Sequence, residues 1–414
     1  MSPIFRKGQL SDIPAVARIS SHSFPAVGFT LPRWEEVLTS SPRGGLDTLW
    51  VGEENGRIIA ACQLYRFEQW IGGVTVPIMG LGGVTIAATA RRQGIAGKMV
   101  AAALEHSAER GDVGTALYPF RTAFYQKLGY GLAGEVTQYR ISPAALPDDL
   151  GRLRVTLAET PEERAELASV YDRWAALQTG QLRRTERLWE PVWENDSRFG
   201  AIYRSEAGEA EGYAIFRYLA EPPRPGRLLE IEEIGWLSAG ARRGLYGWLS
   251  SLSDQWEQML YRAHPEEHFP EYLCELRLPF ESIPRWHFWF PSAVVLNGPM
   301  FRLLDVAAAL GRRVLATAEA LTVALEVHDA QLERNRGGFS WRISGGSSEV
   351  GKGASEGADL HLELDIETLS RIYIGSLSVE SAIATGKAVA KRGEAIAILD
   401  RLLKVPRPWT FDRF

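Results

Sequence analysis

Residues 91–100 read RRQGIAGKMV, and this stretch decides how the N-terminal part of the chain folds. It comes shortly after the strand-like segment VTI at residues 84–86. From residue 95 to residue 104 the apolar side chains recur at helical spacing, which predicts a helix over about residues 93–110. A strand therefore leads into the turn and a helix leaves it, which is the context that an anion-binding turn needs.

The turn itself combines two arginines with small residues. A phosphate-binding turn needs backbone N–H groups that point at one spot, the positive end of a helix dipole, and side chains that let oxygens approach. Gly94 and Ala96 leave that room, and Arg91 and Arg92 add charge and hydrogen-bond donors. A basic surface turn before an ordinary helix fits the same residues, so both interpretations stay open. The Lys-Ser/Thr ending of a Walker loop is missing, and a Rossmann loop would require three glycines.

Composition limits the classes of protein to consider. The chain has 414 residues, more than one compact core holds, so we expect two or three domains. With a net charge of −5 and no dense Lys/Arg tract, it lacks the basic face of a duplex nucleic-acid binder. Cys62 and Cys274 can form neither a disulfide framework nor a zinc site, and both lie in apolar stretches where burial is expected. The seven histidines show no ligand spacing, so no metal is expected.

No targeting or membrane segment is visible in the sequence. The N-terminal segment MSPIFRKGQLSDIPAV lacks the apolar core of a signal peptide. No stretch approaches the roughly 20 apolar residues of a membrane span. We therefore expect a soluble, cytoplasmic protein with no membrane span and no nucleic-acid partner.

Changes of pattern divide the chain at two places. Two prolines and an acidic pair within residues 143–149 follow the strand-like segment GEVTQYRI at residues 134–141, which is expected to close the first unit. A second transition lies in IPRWHFWFPSAVVLNGPMFRLLDV at residues 283–306. The predicted domains are residues 1–145, 146–295 and 296–414.

A possible internal repeat links the first two of these domains. The segment GVTIAATARRQGIAGKMV at residues 83–100 can be aligned with EIGWLSAGARRGLYGWL at residues 233–249. Gly94 then aligns with Gly244, while the bulky Tyr246 replaces a small residue of the turn. A match of this size can arise by chance. A true repeat would indicate a duplicated domain whose phosphate turn has decayed.

Further motifs around the turn point to a family. The pattern Arg-x-x-Gly-x-Ala at residues 91–96 is followed by a strand ending in LYP and by FYQKLGYG at residues 124–131. Together they resemble the GCN5-related N-acetyltransferase (GNAT) family, whose turn holds the pyrophosphate of acetyl-CoA. The resemblance implies acetyl-CoA as cosubstrate and no metal. The residues that it implies for acetyl-CoA binding are Val84, Thr85 and Ile86 on the strand, and Arg91, Arg92, Gln93, Gly94, Ile95 and Ala96 in the turn.

The same resemblance assigns a catalytic role within FYQKLGYG. Tyr125 lies where the family places the general acid that protonates the departing CoA thiolate. A thiolate, whose thiol has a pKa of about 8.5, leaves more easily when a positioned hydroxyl stabilises its charge. Tyr130 matches the family's core aromatic residue instead. Packing alone is the alternative role for Tyr125.

The C-terminal third narrows the resemblance. MFRLLDVAAAL, ADLHLELDIETLSRIYIGSLS and LDRLLKVPRPWTFDRF, which begin at residues 300, 358 and 399, resemble acetyltransferases of the Eis (enhanced intracellular survival) type. That resemblance implies a mixed α+β chain: an active and a degenerate GNAT-fold domain in tandem, then a sterol-carrier-protein-like α/β domain. It also implies assembly into hexamers. In this family the C-terminus enters the active site, so the α-carboxylate of Phe414 would be the base; a frayed tail is the alternative.

The acceptor pocket implied by the resemblance lies beside the first helices. Its candidate residues are His22, Trp34 and Glu35, and an aromatic ring with carboxylates suits an acceptor that carries several amines. The expected reaction is acetyl transfer by direct attack in a ternary complex. The expected acceptor is a polyamine-like, aminoglycoside-like small molecule or a lysine side chain. The alternative function is a lipid- or sterol-binding module with a vestigial transferase domain.

Overall fold

Three β-sheets with their covering helices form the described part of the molecule. The segment RWHFWF at residues 285–290, within the second predicted transition, lies outside it. The computed structural model describes residues 3–194, 197–219, 227–276, 291–315, 317, 320–353, 355, 357–391 and 395–414.

The first sheet has seven strands and carries the motifs of the turn. In spatial order its strands are β1 (Ile4–Lys7), β2 (Leu49–Glu54), β3 (Arg57–Ile71), β4 (Val74–Ile86), β5 (Gly114–Leu117), β14 (Met300–Leu303) and β6 (Gly131–Leu132). The helices of this part are α1 (Ile13–Ser23), α2 (Leu31–Ser40), α3 (Ile95–Glu109) and α4 (Thr122–Gln126). The order β4, turn, α3 confirms the predicted strand, turn and helix.

A glycine turn joins the two longest strands of this sheet. Gly72 and Gly73 connect β3 to β4 with φ values of +59° and +82°. Positive φ at both positions suits a tight hairpin turn whose twist matches that of the strands. β3 and β4 consequently pair from the hairpin to Ile86, where the turn before α3 begins.

The second sheet also has seven strands. In spatial order they are β13 (Val294–Asn297), β7 (Glu135–Ile141), β12 (Gln258–Ala263), β11 (Leu228–Trp236), β10 (Ala210–Leu219), β9 (Arg198–Arg204) and β8 (Val155–Leu157). Its helices are α5 (Pro161–Ala175), α6 (Glu186–Trp193) and α7 (Ala239–Ser251).

The third sheet has five strands and lies in the C-terminal part. In spatial order they are β17 (Ser347–Lys352), β16 (Gly337–Ser344), β15 (Leu321–His328), β18 (Leu360–Asp365) and β19 (Ala388–Lys391). The helices of this part are α8 (Val306–Gly311), α9 (Ile366–Ile374), α10 (Val379–Ala384) and α11 (Ile396–Leu403). Two units built on seven-stranded sheets, followed by a unit built on a five-stranded sheet, agree with the predicted mixed α+β class.

Strands cross between the first two sheets. The expectation that GEVTQYRI closes the first sheet is wrong, because β7 pairs with β12 and β13 of the second sheet. β14 instead completes the first sheet, antiparallel to β5 on one side and to β6 on the other. β7 precedes the predicted boundary near residue 145 but belongs to the second sheet, and β14 follows the one near residue 295 but belongs to the first. The domain ranges remain predictions.

The two seven-stranded units repeat a strand followed by a helix, but the aligned residues do not match in space. α7 begins almost directly after β11, with Ser238 as its N-cap residue. Gly244, aligned in the sequence with Gly94, therefore lies inside α7 rather than before it, so this part of the alignment is wrong. The Ser238 hydroxyl donates to Glu211 at 2.6 Å, which leaves a carboxylate at the start of α7. A second anion would be repelled there.

Two further expectations can be compared with the structure. Cys62 is buried as expected, whereas Cys274 is exposed, so the expectation of burial is wrong for Cys274. Cys274 follows a 3₁₀ turn at Phe269–Tyr272 and does not lie in a core strand. No helix in the described ranges is long and apolar enough to cross a membrane.

A buried ion pair joins the first sheet to the third unit. Arg302 on β14 is 0% exposed and donates to both carboxylate oxygens of Asp329, at 2.7 and 2.8 Å. The same guanidinium donates to the carbonyl oxygens of Leu128 and Leu303 at 2.7 and 2.6 Å. Burial lowers the pKa of Arg302, and the attraction of Asp329 opposes this shift. The charge is tolerated in the interior because it is paired and hydrogen-bonded.

We expect Asp329→Ala to lower the free energy of unfolding by about 3–5 kcal/mol, because it leaves a buried guanidinium without its counter-ion. Urea titration followed by tryptophan fluorescence measures the loss. Glu349→Ala is the control, since Glu349 pairs with Arg342 at 3.8 Å on the surface, where ion pairs contribute little. Equal losses in the two variants would contradict the role given to the buried pair.

Candidate active site

A bulge in β4 lies at the centre of the candidate site. In the pairing of β4 with β3, Gly83 and Val84 together stand opposite the single residue Cys62. Gly83 has a φ of +58°, which glycine adopts without strain. A bulge of this kind bends the strand and redirects the residues that follow it. Residues 84–86, the predicted ligand-binding end of the strand, come directly after the bend.

On its other side β4 separates from β5. The two parallel strands pair only at residues 78–80 of β4. Beyond residue 80, the β4 backbone groups on that side have no partner in β5. Unpaired strand groups can bind an extended ligand as an additional strand would. This gap, which we call the β4–β5 gap, suits the amide-containing pantetheine arm of acetyl-CoA.

The side chains of Val84, Thr85 and Ile86 make contacts within the protein. Thr85 is 2% exposed, and its hydroxyl contacts the Ser23 hydroxyl and lies 3.3 Å from the carbonyl oxygen of Ile19. Val84 and Ile86 are half-buried and pack against the apolar cluster that includes α3. Only backbone groups of these three residues therefore remain for a ligand.

The turn before α3 presents free backbone donors. Arg92 and Gly94 have φ values of +61° and +76°, so the backbone curves tightly just before the helix. The N–H groups of the first helical turn, which begins at Ile95, have no acceptor inside the helix. A Cβ added to Gly94 or Gly97 would meet no atom within 4 Å. The turn thus combines donors with open space, as a phosphate group requires.

The side chains of the turn add positive charge. Arg91 and Arg92 are exposed, and Arg91 makes only long contacts of 3.4 Å, to the Ser23 hydroxyl and to the Ile86 carbonyl oxygen. The Gln93 amide donates to a backbone carbonyl within the turn at 3.2 Å. The Ile95 side chain is 4% exposed and belongs to the core, so it offers a ligand only its backbone. Ala96 is half-buried and small.

Tyr125 on α4 packs beneath the same part of the sheet. Its side chain is 3% exposed, and no residue in the described part of the chain hydrogen-bonds to its hydroxyl. Burial, with a smaller contribution from Cys62, raises the pKa of Tyr125 to about 12. The hydroxyl therefore keeps its proton at neutral pH and can donate it. Tyr130 is fully buried and hydrogen-bonded to Thr115 at 3.1 Å, so its predicted core role is confirmed.

Phe414 lies directly on β4. Its ring is 5.0 Å from that of Phe67 and 5.7 Å from that of Tyr118. A Cβ on Gly82 would lie 3.3 Å from the carboxyl carbon of Phe414, and one on Gly80 would lie 2.9 Å from its ring. The two glycines therefore make room for Phe414 together with the rings of Phe67 and Tyr65, which lie closer still.

Tyr125 and Phe414 contact opposite faces of the sheet. Tyr125 belongs to the apolar cluster that contains Met79 and α3, whereas Phe414 packs against the cluster that contains Ile78. Consecutive residues of a strand point to opposite faces, which is consistent with this arrangement. A proton donor and a carboxyl group thus stand on the two sides of the sheet at β4.

The segment before Phe414 is held along the second unit. The indole of Trp409 packs edge-on against that of Trp174 at 5.9 Å, and Phe411 stacks on Trp174 at 5.6 Å. Two residues from the end, the Asp412 carboxylate accepts a hydrogen bond from Arg184 Nε at 2.9 Å. The tail, residues 407–414, is therefore held at Trp409, Phe411 and Asp412.

Two cavities adjoin the face of β4 that carries Phe414 and the bulge. One, of about 70 Å³, lies between α1, α2 and the bulge and is lined by Trp34, Phe24 and Tyr65, among others. The other, of about 140 Å³, lies under the tail. Its lining includes Phe67, Arg184, Glu233, Asp412 and Phe414.

The structure brings one of the three predicted acceptor residues to these cavities. Trp34 lines the smaller cavity and contacts Phe29 edge-on at 5.3 Å. His22 lies in the last turn of α1, and Glu35 lies next to Trp34 on α2. In the part of the chain that the structure describes, neither side chain lines either cavity.

Sequence reasoning missed Arg184, Tyr118 and Asp412. The Tyr118 hydroxyl donates to the carbonyl oxygen of Asp412 at 2.6 Å. Its position in LYP, just after β5, was the available signal. Arg184 stands among other charged residues in a segment with no recognisable motif, so only the folded chain reveals it.

Three parts of the chain match models of known families. Residues 5–133 and residues 180–295 each match an acetyltransferase (GNAT) domain, and residues 306–411 match a sterol carrier protein domain. Over 388 residues, the chain is 26% identical to an uncharacterized N-acetyltransferase of Streptomyces avermitilis, covering 87% of each chain. It is 27% identical to N-acetyltransferase Eis of Mycobacterium tuberculosis over 340 residues, covering 80% of this chain and 78% of that one.

The chain is an Eis-like GNAT N-acetyltransferase. The crystal structure of a GCN5-related N-acetyltransferase from Anabaena variabilis has the same fold, with a TM-score of 0.85 at 22% identity over all of both chains. GNAT acetyltransferases use acetyl-CoA as cosubstrate and accept an amine. Within the described ranges of this Eis-like chain, no group of three or more His, Cys, Asp or Glu side chains could hold a metal ion.

We expect the double variant Arg91→Gln, Arg92→Gln to weaken acetyl-CoA binding about tenfold, because it removes two charges from the turn predicted to bind the phosphates. Isothermal titration measures the dissociation constant, and its salt dependence should fall with the lost charges. Arg154→Gln is the control, since Arg154 pairs with Glu206 on the surface of the second unit. An unchanged dissociation constant in the double variant would remove the turn from the binding site.

Proposed function

We propose that this Eis-like enzyme transfers the acetyl group of acetyl-CoA to a primary amine by direct attack within a ternary complex. The observation that carries the proposal is the placement of Tyr125 and Phe414 against opposite faces of β4. An acid on the thiol side and a base on the amine side are the two groups that this transfer needs.

The binding of acetyl-CoA is proposed at the turn and the β4–β5 gap. Backbone N–H groups of residues 91–96 would hold the pyrophosphate, with Arg91 and Arg92 adding charge. Backbone groups of residues 84–86 would hold the pantetheine arm and polarise the thioester carbonyl. The free donors and open space described above support both assignments.

The proposed reaction uses one proton acceptor and one proton donor. The α-carboxylate of Phe414 takes a proton from the ammonium group of the acceptor, directly or through water. The amine nitrogen then forms a bond to the thioester carbon, whose oxygen accepts a hydrogen bond from the β4 backbone. As the carbon–sulfur bond breaks, the Tyr125 hydroxyl donates its proton to the sulfur. The attacking nitrogen, which still carries one proton too many, releases it to water, and the Tyr125 phenolate takes up a proton from water. The products are the N-acetylated amine and CoA.

The proposed acceptor is a small molecule with several amino groups, aminoglycoside-like in kind, or a lysine side chain. Trp34 supports this assignment, because an indole in the cavity beside the bulge can contact a cationic group. The roles of His22 and Glu35 and the assembly into hexamers remain predictions.

The lipid-binding alternative is not favoured. A cavity of about 640 Å³ at the third unit opens between α4 and β15 and includes charged side chains in its lining. These are Lys127, Glu326, Asp329, Arg336, Asp365 and Glu367. A lipid chain would require an apolar lining.

We expect Tyr125→Phe to lower kcat about a hundredfold and to leave the KM for acetyl-CoA unchanged, because only the donated proton is lost. Tyr130→Phe, which removes a buried hydroxyl outside the site, is the matched control. Since burial raises the pKa of Tyr125 to about 12, the wild-type kcat should not fall through loss of this proton between pH 7 and 10. Initial rates of CoA release test both points, and equal kcat values for the two variants would count against Tyr125.

We expect two residues added after Phe414 to abolish turnover while acetyl-CoA binding persists, because the addition moves the carboxylate away from β4. The control inserts the same two residues after Gly346, in the turn between β16 and β17. CoA release and titration calorimetry provide the measurements. Full turnover by the extended chain would overturn the assignment of the base.

A further inference from the structure

The proposed base lies at the end of a long segment without regular structure. The last helix, α11, ends at Leu403, and residues 404–414 form neither helix nor strand. A carboxylate that removes a proton must stay within hydrogen-bond reach of its acceptor molecule. Side-chain contacts must therefore supply the rigidity that a helix or strand would otherwise provide.

A charge cluster of the second unit makes the strongest such contact. Arg184 Nε donates to Asp412 at 2.9 Å, two residues before Phe414. The other two nitrogens of the same guanidinium donate to Glu233 on β11 at 2.8 and 3.0 Å. One planar group thus ties the tail to a central strand of the second sheet.

The guanidinium is also held by contacts that do not involve the tail. Its carbon lies 4.3 Å from the ring centre of Tyr171 and 4.6 Å from that of Trp189, on α5 and α6. The Arg184 side chain is 2% exposed, compared with 9% for Glu233 and 16% for Asp412. Buried charge-assisted hydrogen bonds hold their geometry, because breaking them leaves a charge unpaired in the interior.

Contacts from the first unit complete the arrangement at the end of the tail. The Tyr118 hydroxyl donates to the Asp412 carbonyl oxygen at 2.6 Å, so side chain and backbone of Asp412 are held from different units. The Phe414 ring rests against Phe67 and Tyr118, and its carboxyl carbon adjoins Gly82. Asp412 is therefore the last fixed point before the carboxylate.

We propose that Arg184 is the positioning residue for the Phe414 carboxylate and acts on it through Asp412. This inference rests on the proposed function, because it takes that carboxylate to be the base. On this inference the degenerate GNAT unit contributes to catalysis, because it holds the Phe414 carboxylate in place at the active site of the first unit.

Arginine is needed at this position because of its shape. Its planar fork holds Glu233 with two hydrogen bonds and still offers Nε to Asp412, whereas the ammonium group of lysine cannot reproduce this geometry. A displacement of about 1 Å at a catalytic group can cost about a hundredfold in rate. Arg184→Lys should therefore restore only part of what Arg184→Met loses.

The test combines two variants with one control. Arg184→Met removes the guanidinium, and Asp412→Asn weakens the contact from the tail while Arg184 and Glu233 remain paired. If Arg184→Met fails to fold, Asp412→Asn still tests the proposal by itself. Arg204→Met is the control, because Arg204 pairs with Glu166 in the second unit and does not contact the tail.

Two measurements are made on each full-length variant. The first is kcat and the KM for acetyl-CoA, and we expect kcat to fall at least tenfold at an unchanged KM. The second is the rate at which carboxypeptidase A releases free phenylalanine, which reports how often Phe414 leaves β4. We expect this rate to rise about tenfold or more in both variants and to stay at the wild-type level in Arg204→Met.

The outcomes separate this inference from the proposed function. A lower kcat together with faster phenylalanine release supports the positioning role. Wild-type values of both quantities in Asp412→Asn overturn it, even where the extended chain is inactive. Faster release with an unchanged kcat supports the anchoring of the tail by Arg184 and overturns the catalytic use of the Phe414 carboxylate.

Discussion

The buried pair of Arg302 and Asp329 is the constraint on which the attachment of the third unit to the first depends. A guanidinium at 0% exposure cannot be left without its counter-ion, so β14 and the loop after β15 must come together. Oδ1 of Asp329 also accepts hydrogen bonds from the backbone N–H groups of Gln331 and Leu332, at 2.8 and 3.1 Å. Oδ2 accepts one from the Asn335 side-chain amide at 3.0 Å, so both oxygens have partners besides Arg302. With β14 held in this way, the first sheet is complete and the third unit is fixed beside it. The tail then starts from a defined place.

Much of the fold could be predicted from the sequence because its signals are local. The strand, turn and helix around residues 91–100 follow from spacing and small residues, and Tyr125 follows from a short motif. The sheet to which β7 and β14 belong could not be predicted, because an alternating strand carries the same pattern in either sheet. The misaligned Gly244 has a similar cause: two glycines that look alike in a short alignment stand differently, one before its helix and one inside its helix.

The contacts that complete the candidate site are the least visible in the sequence. Arg184 lies 49 residues from Glu233 and 228 residues from Asp412, and no local periodicity connects them. The sequence also could not tell which predicted acceptor residues line a cavity, since Trp34 lines one and its neighbour Glu35 does not. Helical spacing tells which residues share a face, but not what stands opposite that face.

The pairing of β14 with β5 in the first sheet also affects how the chain folds during its synthesis. β5 ends at Leu117, but its neighbour β14 begins only at Met300, so a nascent chain on the ribosome carries an unpaired strand edge between these two points. At roughly 5–20 residues per second this interval lasts on the order of tens of seconds. Unpaired edges are where chains aggregate, so expression of this protein should depend on chaperones more than that of a single GNAT unit whose strands are contiguous.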